Sequence, residues 1–338
     1  MATPSRYLVS DIGGTNIRVA VFDTDPRQRL LEANYSKRPD GTPWIIRDAL
    51  ADYVARTNVP IKAACMGVAG RVREGTVKIT NRPDTIVRDE IAGVLGVEPA
   101  KLRIVNDMPP HLASVERLKN EEVEEILPGK PQADGARGIV MPGSGLGIGG
   151  AMWTPAGYEP FPSEGGHLEF APRDDEQVAL LEYTRAAFAA QNPAARTLPI
   201  SFENLVSGPG LRRLYAFYAK KNPTDLDALP KGEEITAVAT EPSAKDDDPR
   251  RLAVNLMVKL MGQAAGNLAL LLVATGGVYL GGSIGLTLRD ELHSDLFRET
   301  FLSTGPKHRA LLEEIPVRLL DYKDTGLLGA GVLAMRVG

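Results

Sequence analysis

The sequence predicts an α/β protein of two domains. Three observations carry that reading: short apolar strand-like runs alternate with helix-length amphipathic segments, two strand pairs enclose glycine-rich polar turns built on one plan, and 338 residues suffice for two domains of ordinary size. Hydrophobic residues make up 43% and charged residues 24%, the balance of a chain that buries a real core.

The first two strands, Tyr7 to Asp11 and Arg18 to Asp23, flank the turn Asp11-Ile12-Gly13-Gly14-Thr15-Asn16-Ile17-Arg18. A plain hairpin would use Gly13 and Gly14 only to supply backbone with φ > 0. The crowding of Asp11, Thr15, Asn16 and Arg18 exceeds that need: a carboxylate at a strand end, open backbone N–H groups and a hydroxyl suit a metal-bound phosphate. Leu30 to Tyr35 is a third strand. Thr42-Pro43 open a helix, Thr42 to Asn58, as N-cap and first-turn proline. Ile61 to Val68 is an apolar strand with a glycine turn at Gly67 and Gly70, and Ile86 to Leu95 is a short helix. The buried strand Leu102 to Val105 then delivers Asn106-Asp107 at its C-terminal end, where open α/β sheets collect ligands.

A second unit begins at Gly138 to Met141, whose strand runs through Pro142-Gly143-Ser144-Gly145-Leu146-Gly147 into Ile148 to Trp153. Strand, glycine-rich turn, strand repeats the plan of residues 7–23. This weak internal repeat suggests two related halves facing one nucleotide across a cleft, with two unrelated glycine hairpins as the alternative. Glu176 to Ala190 and Gly210 to Lys220 read as amphipathic helices, and the polar stretch between Asn222 and Asp248 as a surface excursion. Pro249 to Ala274 is a long helix with Asp246 to Asp248 placing negative charge at its N-terminus. Strands at Val278 to Gly281 and Val317 to Leu320 and a small-residue helix, Gly326 to Met335, close the chain.

Composition excludes several classes. A net charge of -4 leaves no basic field for nucleic acid or an anionic membrane. The uncharged stretch Leu260 to Leu288 has the length of a bilayer span, but Gln263, Asn267 and Gly276-Gly277 interrupt it, and it reads as a buried helix followed by a buried strand. A single cysteine, Cys65, forbids an internal disulfide, and His111, His167, His293 and His308 show no zinc-ligand spacing. A cytoplasmic setting without an export signal is expected, since the N-terminal apolar run is short and flanked by Arg6 and Asp11. Gly143-Ser144-Gly145-Leu146-Gly147 fails the dinucleotide fingerprint, because Ile148 stands where a third glycine is required.

Four constellations carry candidate chemistry. Asn106-Asp107 places a carboxylate beside an amide at a strand end, the arrangement of a general base for an alcohol nucleophile. An Asp there serves equally well as a helix cap. In Ser163 to Phe170, Glu164 and His167 surround a flexible diglycine turn and can converge on a small polyol. Ser201 to Gly210 reads as a junction between helices with Ser207 as N-cap, where Glu203 alone carries little information. Gly276 to Gly285 sets glycines at both ends of a buried strand, which suits either the approach of a flat nucleobase or tight packing.

Leu8 to Asn16, Val105 to Asp107, Glu164 to His167, Leu205 to Gly210 and Thr325 to Gly331, recurring in this order, resemble the bacterial glucokinase family of the sugar kinase, heat-shock ATPase and actin superfamily. The resemblance implies an α/β, two-domain ribonuclease-H-like (actin-like ATPase) fold with a nucleotide and sugar cleft between the domains. It places residues 1–117 plus 322–338 in a small domain and 118–321 in a large one. It implies ATP-dependent phosphorylation of D-glucose to glucose 6-phosphate with ATP and Mg²⁺ as cofactors, in a homodimer that binds neither nucleic acid nor membrane. Asp107 matches the catalytic base. Asn81, in the Thr80-Asn81 turn, and Asn106, Glu164, His167 and Glu203 match sugar-binding residues. Asp11, Gly13, Gly14, Thr15 and Asn16 match the first phosphate loop, with Asp11 near magnesium through water. Gly143, Ser144, Gly145 and Gly147 match the second loop, and Gly281-Gly282 the nucleoside wall.

Departures stand at Arg82-Pro83-Asp84, where relatives carry an aromatic residue, at Ser163 and Ser283, where glycine is usual in relatives, and at Pro109-Pro110-His111 after the base. The alternatives are a noncatalytic sugar sensor on the same fold, or a kinase for mannose or glucosamine. The amino-sugar kinases and repressors of the superfamily carry a cysteine-rich zinc motif that one cysteine cannot build. Catalysis without wasteful ATP hydrolysis implies closure on the sugar. Small-angle scattering is expected to show compaction at saturating glucose; an unchanged radius of gyration counts against it.

Overall fold

The computed structural model describes residues 6–14, 16–79, 82, 84–222 and 224–338. The chain divides into two compact units, one comprising the described residues to Lys119 with Thr154–Pro162 and Tyr322–Gly338, the other Asn120–Trp153 with Ser163–Asp321.

In the first unit β1 (Arg6–Ile12), β2 (Ile17–Phe22) and β3 (Arg29–Tyr35) form an antiparallel meander. Helix α1 (Ile46–Thr57) carries the chain over to β4 (Ile61–Val68), which lies parallel to β1. A small antiparallel sheet of β5 (Gly70–Arg73), β6 (Thr76–Ile79) and β7 (Thr85–Val87) intervenes before α2 (Arg88–Leu95), and β8 (Leu102–Asn106) then adds parallel to β4. The five-stranded order is β3-β2-β1-β4-β8. Helix α3 (Met108–Ser114) follows at once.

Side chains on a strand alternate between faces, and both faces of this sheet are covered. Leu8, Ile12, Ile17 and Val19 pack with Ile46, Leu50 and Ile91 of α1 and α2. Tyr7, Val9, Ala20, Phe22, Ala63 and Cys65 form the other core. The alternation puts Asp11, Arg18 and Gly67 on the face of Val9, Ala20 and Cys65.

The second unit opens with β9 (Val123–Leu127), β10 (Arg137–Pro142) and β11 (Leu146–Thr154); the hairpin strand β12 (Gly157–Phe161) falls within the first unit. Helices α4 (Asp175–Gln191), α5 (Phe202–Leu205), α6 (Gly208–Tyr218), α7 (Gly232–Ala239) and α8 (Pro249–Leu272) lead to β13 (Gly277–Leu280). Then come α9 (Gly282–Thr287), α10 (Arg289–Leu292), α11 (Asp295–Phe301), α12 (Pro306–Glu314) and β14 (Val317–Leu320). The final helix, α13 (Thr325–Met335), belongs to the first unit, where Leu327, Ala330 and Leu333 join the core on the Val9 face.

Strands β10 and β11 are an antiparallel hairpin, with β13 and β14 added parallel on the β10 side. That is the plan of β1, β2, β4 and β8, so the repeat seen in the glycine turns extends to the sheets. The uncharged stretch from Leu260 runs through the heart of this unit: a Cβ at Gly262 would lie 2.6 Å from the Phe297 carbonyl oxygen of α11, and Leu260, Met261 and Ala265 are buried. Among the described residues no helix is long and apolar enough to cross a membrane.

Several boundaries differ from expectation for local reasons. Thr42-Pro43 do not open α1; Asp40 accepts the Thr42 N–H at 2.9 Å, Pro43 bridges Lys37, and the helix starts at Ile46. Residues 85–87 pair with β6 as a strand, so α2 starts at Arg88. Gly67 lies inside β4, where a Cβ would stand 3.1 Å from Pro110, and Gly70 begins β5, so the turn between them is at Ala69. The polar excursion contains the packed helix α7, which buries Ile235 and Ala239 one turn apart. Residues 154–162, expected with the large domain, pack with the first unit: Arg336 donates to the Tyr158 carbonyl at 2.6 Å, and Glu116 accepts the Tyr158 N–H at 3.0 Å.

Helix α13 is seated on α3 without clearance. A Cβ at Gly329 would overlap the Pro110 carbonyl oxygen. Asp324, at the N-cap position, instead of capping binds Arg18 and Arg29 at 2.7 Å each. Burial acts to raise the Asp324 pKa, but the hydrogen bonds from Arg29 and Arg18 outweigh it and hold the carboxyl below its ordinary value. Its stabilisation is complete above the ordinary carboxylate pKa of about 4 and is lost as pH falls through the depressed value.

Two outcomes are expected in thermal unfolding. Gly329→Ala costs roughly 1–3 kcal/mol by overpacking. Asp324→Asn, which leaves the half-buried Arg29 short of its anion, costs about 1–2 kcal/mol at pH 7, with the difference from wild type shrinking as the solution is acidified.

Candidate active site

The candidate residues divide between the two units. Thr15 and Asn81 lie outside the described residues.

In the first unit the hairpin between β1 and β2 is closed by a hydrogen bond from the Gly13 N–H to the Asn16 carbonyl at 3.0 Å. Gly13 does not have positive φ, and among the described residues a Cβ there would meet nothing nearer than the Asn16 oxygen at 3.9 Å. Neither backbone conformation nor packing requires glycine at 13; the open space on this side of the turn is what a phosphate would use. Asp11, the residue before the end of β1, lies on the α3 and α13 face, with Asp11 Oδ2 3.4 Å from where a Gly326 Cβ would stand.

Asp107 occupies the N-cap position of α3, but its side chain does not cap. Asn106 does that work, its Oδ1 accepting the Met108 N–H at 3.1 Å while its Nδ2 donates to the Gly70 carbonyl at 3.4 Å. Arg82, where relatives carry an aromatic residue, is buried, bonded to the Asp84 carboxylate at 2.8 Å and to the Trp44 carbonyl.

Sequence reasoning assigned no chemistry to His111. It sits on α3 one turn beyond Asp107, its Nδ1 2.7 Å from Thr325 Oγ1. Burial pushes its pKa down while Asp11 pulls it up, and burial prevails. The signal was the unusual Pro109-Pro110-His111 run, which becomes meaningful only once α13 is beside it.

In the second unit the loop after β10 is pinned from within and from α6. The Gly143 N–H donates to the Gly145 carbonyl at 2.8 Å, and the Gly208 N–H donates to the Gly143 carbonyl at 2.8 Å. Ser207 caps α6 by accepting the Gly210 N–H at 3.1 Å, as expected. Gly143, like Gly13, is open: a Cβ would find nothing closer than Ser283 Oγ at 3.6 Å. Ser144 is exposed, and Gly147 pairs with Met141 in the β10–β11 ladder. Gly281 donates its N–H to the Val140 carbonyl at 3.1 Å, and Gly282, at φ +73°, lies against the Pro142 carbonyl, so the glycines after β13 abut the same loop.

Glu203, uninformative in sequence, joins the loop to the polar turn. Its Oε2 accepts the Leu146 N–H at 2.9 Å, and its Oε1 lies 3.8 Å from His167 Nδ1. His167 Nε2 is 4.0 Å from Glu164 Oε2, and the two side chains are 59% and 60% exposed. The three form a row of donors and acceptors open to a hydroxylated ligand. The diglycine turn is not a flexible element: a Cβ at Gly166 would overlap the Leu146 carbonyl oxygen, and one at Gly165 would lie 3.0 Å from Ile148 Cβ. Gly145 is glycine for Glu203, whose Oε2 would stand 2.7 Å from a Cβ there.

Each unit thus pairs a hairpin sheet with a glycine-rich loop, one with an acid and the other with a row of polar side chains beside it. Solved structures agree on the fold. A Leishmania braziliensis glucokinase matches with TM-score 0.81 at 17% identity over 100% of this chain and 94% of that one. A glucokinase from an Antarctic psychrotroph matches with TM-score 0.78 at 24% identity over 98% and 99% of the two chains. A glucokinase family model matches residues 8–337. Glucokinases of Cronobacter sakazakii, 31% identical over 96% of this chain and 95% of the relative, and of Tolumonas auensis, 32% identical over 96% of each, are similar along nearly the whole length. The chain belongs to the glucokinase family.

The open glycine and the packed one are expected to respond oppositely to a methyl group. Gly13→Ala leaves stability within about 0.5 kcal/mol yet weakens ATP binding several-fold, whereas Gly166→Ala costs roughly 1–3 kcal/mol. Thermal unfolding with nucleotide titration checks both.

Proposed function

We propose that Asp107 is the general base of the glucokinase reaction of this chain. As a member of its family the chain transfers the γ-phosphoryl group of ATP to glucose. The observation that carries the proposal is the place of Asp107 directly after the last residue of β8, at the strand end where open α/β sheets collect ligands, in a chain of the glucokinase family.

Phosphoryl transfer through a loose transition state demands position and charge neutralisation more than covalent help. In this reading the turn of Gly13, Gly14, Thr15 and Asn16 and that of Gly143, Ser144, Gly145 and Gly147 receive the phosphates, with the Gly13 and Gly143 N–H groups closing the turns themselves. Gly281-Gly282 lie against the nucleoside. Asn81, Asn106, Glu164, His167 and Glu203 take the hexose hydroxyls, and Asp107 accepts the proton of the 6-hydroxyl as it attacks. The bond from Glu203 to the Leu146 N–H supports a shared role, because it ties the orientation of a sugar ligand to the loop.

Magnesium fits the donor set. Among the described residues no group of three His, Cys, Asp or Glu side chains forms a metal cage, and Mg²⁺ is ordinarily held by one or two carboxylates, waters and substrate phosphates. Asp11, through water, would hold it. Bound there, it would supply neutralisation of charge on the phosphates. We further propose that the protein is a cytoplasmic homodimer without affinity for nucleic acid, in keeping with its charge of -4 and single cysteine.

A coupled assay with Mg-ATP and a panel of glucose, mannose and glucosamine tests the proposal. Glucose is expected to be the substrate, and Asp107→Ala to lower kcat by about 10²- to 10⁴-fold with nucleotide affinity retained. Comparable turnover by Asp107→Ala overturns the assignment of the base. Gly145→Ala is expected to raise the KM for glucose by displacing Glu203.

A further inference from the structure

The reaction described above makes no use of His111, yet its surroundings are functional. It lies on the helix that begins directly after Asp107, and its Nδ1 is 2.7 Å from the hydroxyl of Thr325, the first residue of α13. The next residue, Gly326, marks a point approached from two sides: a Cβ there would lie 3.4 Å from Asp11 Oδ2 and 3.5 Å from His111 Cε1. The carboxylate and the imidazole edge thus flank one small gap kept open by a glycine. Asp11 reaches this gap because it continues the Val9 face of β1, where α13 packs.

A carboxylate that holds a metal through water gains from a fixed rotamer, and ligand orientation is commonly set by a neighbour that touches no substrate. The Thr325 bond fixes the rotation of the ring about its own axis, and α3 fixes its position. We propose that His111 is a positioning residue for Asp11, clamped by Thr325, which pre-orients the carboxylate for the magnesium–nucleotide complex and ties it to the helix that carries Asp107. The inference rests on the reading of Asp11 as the metal-facing carboxylate of the first phosphate loop.

Calorimetric titration of the full chain with Mg-ADP and, separately, with glucose tests it, alongside thermal unfolding of the ligand-free protein. His111→Ala is expected to weaken Mg-ADP binding about 10-fold while the glucose affinity holds within about twofold. Thr325→Val, which removes the hydroxyl at nearly constant volume, is expected to act in the same direction and serves if His111→Ala does not fold. His111→Asn, whose amide can occupy the place of Nδ1, is expected to restore much of the affinity. Unchanged Mg-ADP affinity in His111→Ala and Thr325→Val overturns the proposal, as does a parallel loss of both affinities that tracks the unfolding midpoint. Asp11→Asn separates the two levels: if it weakens Mg-ADP binding and His111→Ala does not, only the positioning role fails. If Asp11→Asn has no effect, the reading of Asp11 fails and the positioning role with it.

Discussion

The seating of α13 on α3 is the contact on which the functional end of the first unit depends. Gly329 lets the two helices meet backbone to backbone, with the Pro110 carbonyl occupying the space a side chain would need. From that contact follow the approach of Thr325 to His111, the gap at Gly326 beside Asp11, and the capture of Arg18 and Arg29 by Asp324. Arg18 stands opposite Asp11 in the β1–β2 register, yet its guanidinium is bound to Asp324 and Glu32. The last helix in sequence thereby determines the electrostatic surroundings of the first strand.

In the second unit the peptide groups of Leu146 play a comparable part. The carbonyl leaves no room for a side chain at Gly166, and the N–H is held by Glu203. One residue of β11 therefore positions both the turn that carries Glu164 and His167 and the carboxylate that approaches His167. A buried backbone donor that finds a carboxylate is satisfied by a stronger hydrogen bond than a neutral acceptor would give, so the arrangement gains rigidity as well as shape.

The glycines separate into those the fold requires and those it does not. Gly329, Gly166 and Gly210 are met by carbonyl oxygens, and Gly282 has positive φ. Gly13 and Gly143 have neither constraint. Reading Gly13-Gly14 as hairpin geometry was reasonable from sequence, since a two-strand connection ordinarily needs φ > 0 there. Gly13 closes its turn without it, which turns attention to the space above the turn.

Much of the fold was legible because it is written locally. Short apolar runs marked β1, β2, β4, β8 and β14 closely, the Ser207 cap marked α6, and an uncharged stretch with polar interruptions marked a buried helix. Boundaries failed where a nearby competitor for the backbone prevailed, as with Asp40 before α1 and the pairing of 85–87 before α2. The amino-acid sequence alone determined the order of motifs and the family to which they belong, because glycine, carboxylate and amide types are fixed by chemistry at each position. Tertiary structure decided which distant residues meet: that Glu203 binds the loop at Leu146, and that His111 meets Thr325. Such pairings join residues dozens to hundreds of positions apart, and only packing brings them within hydrogen-bonding range.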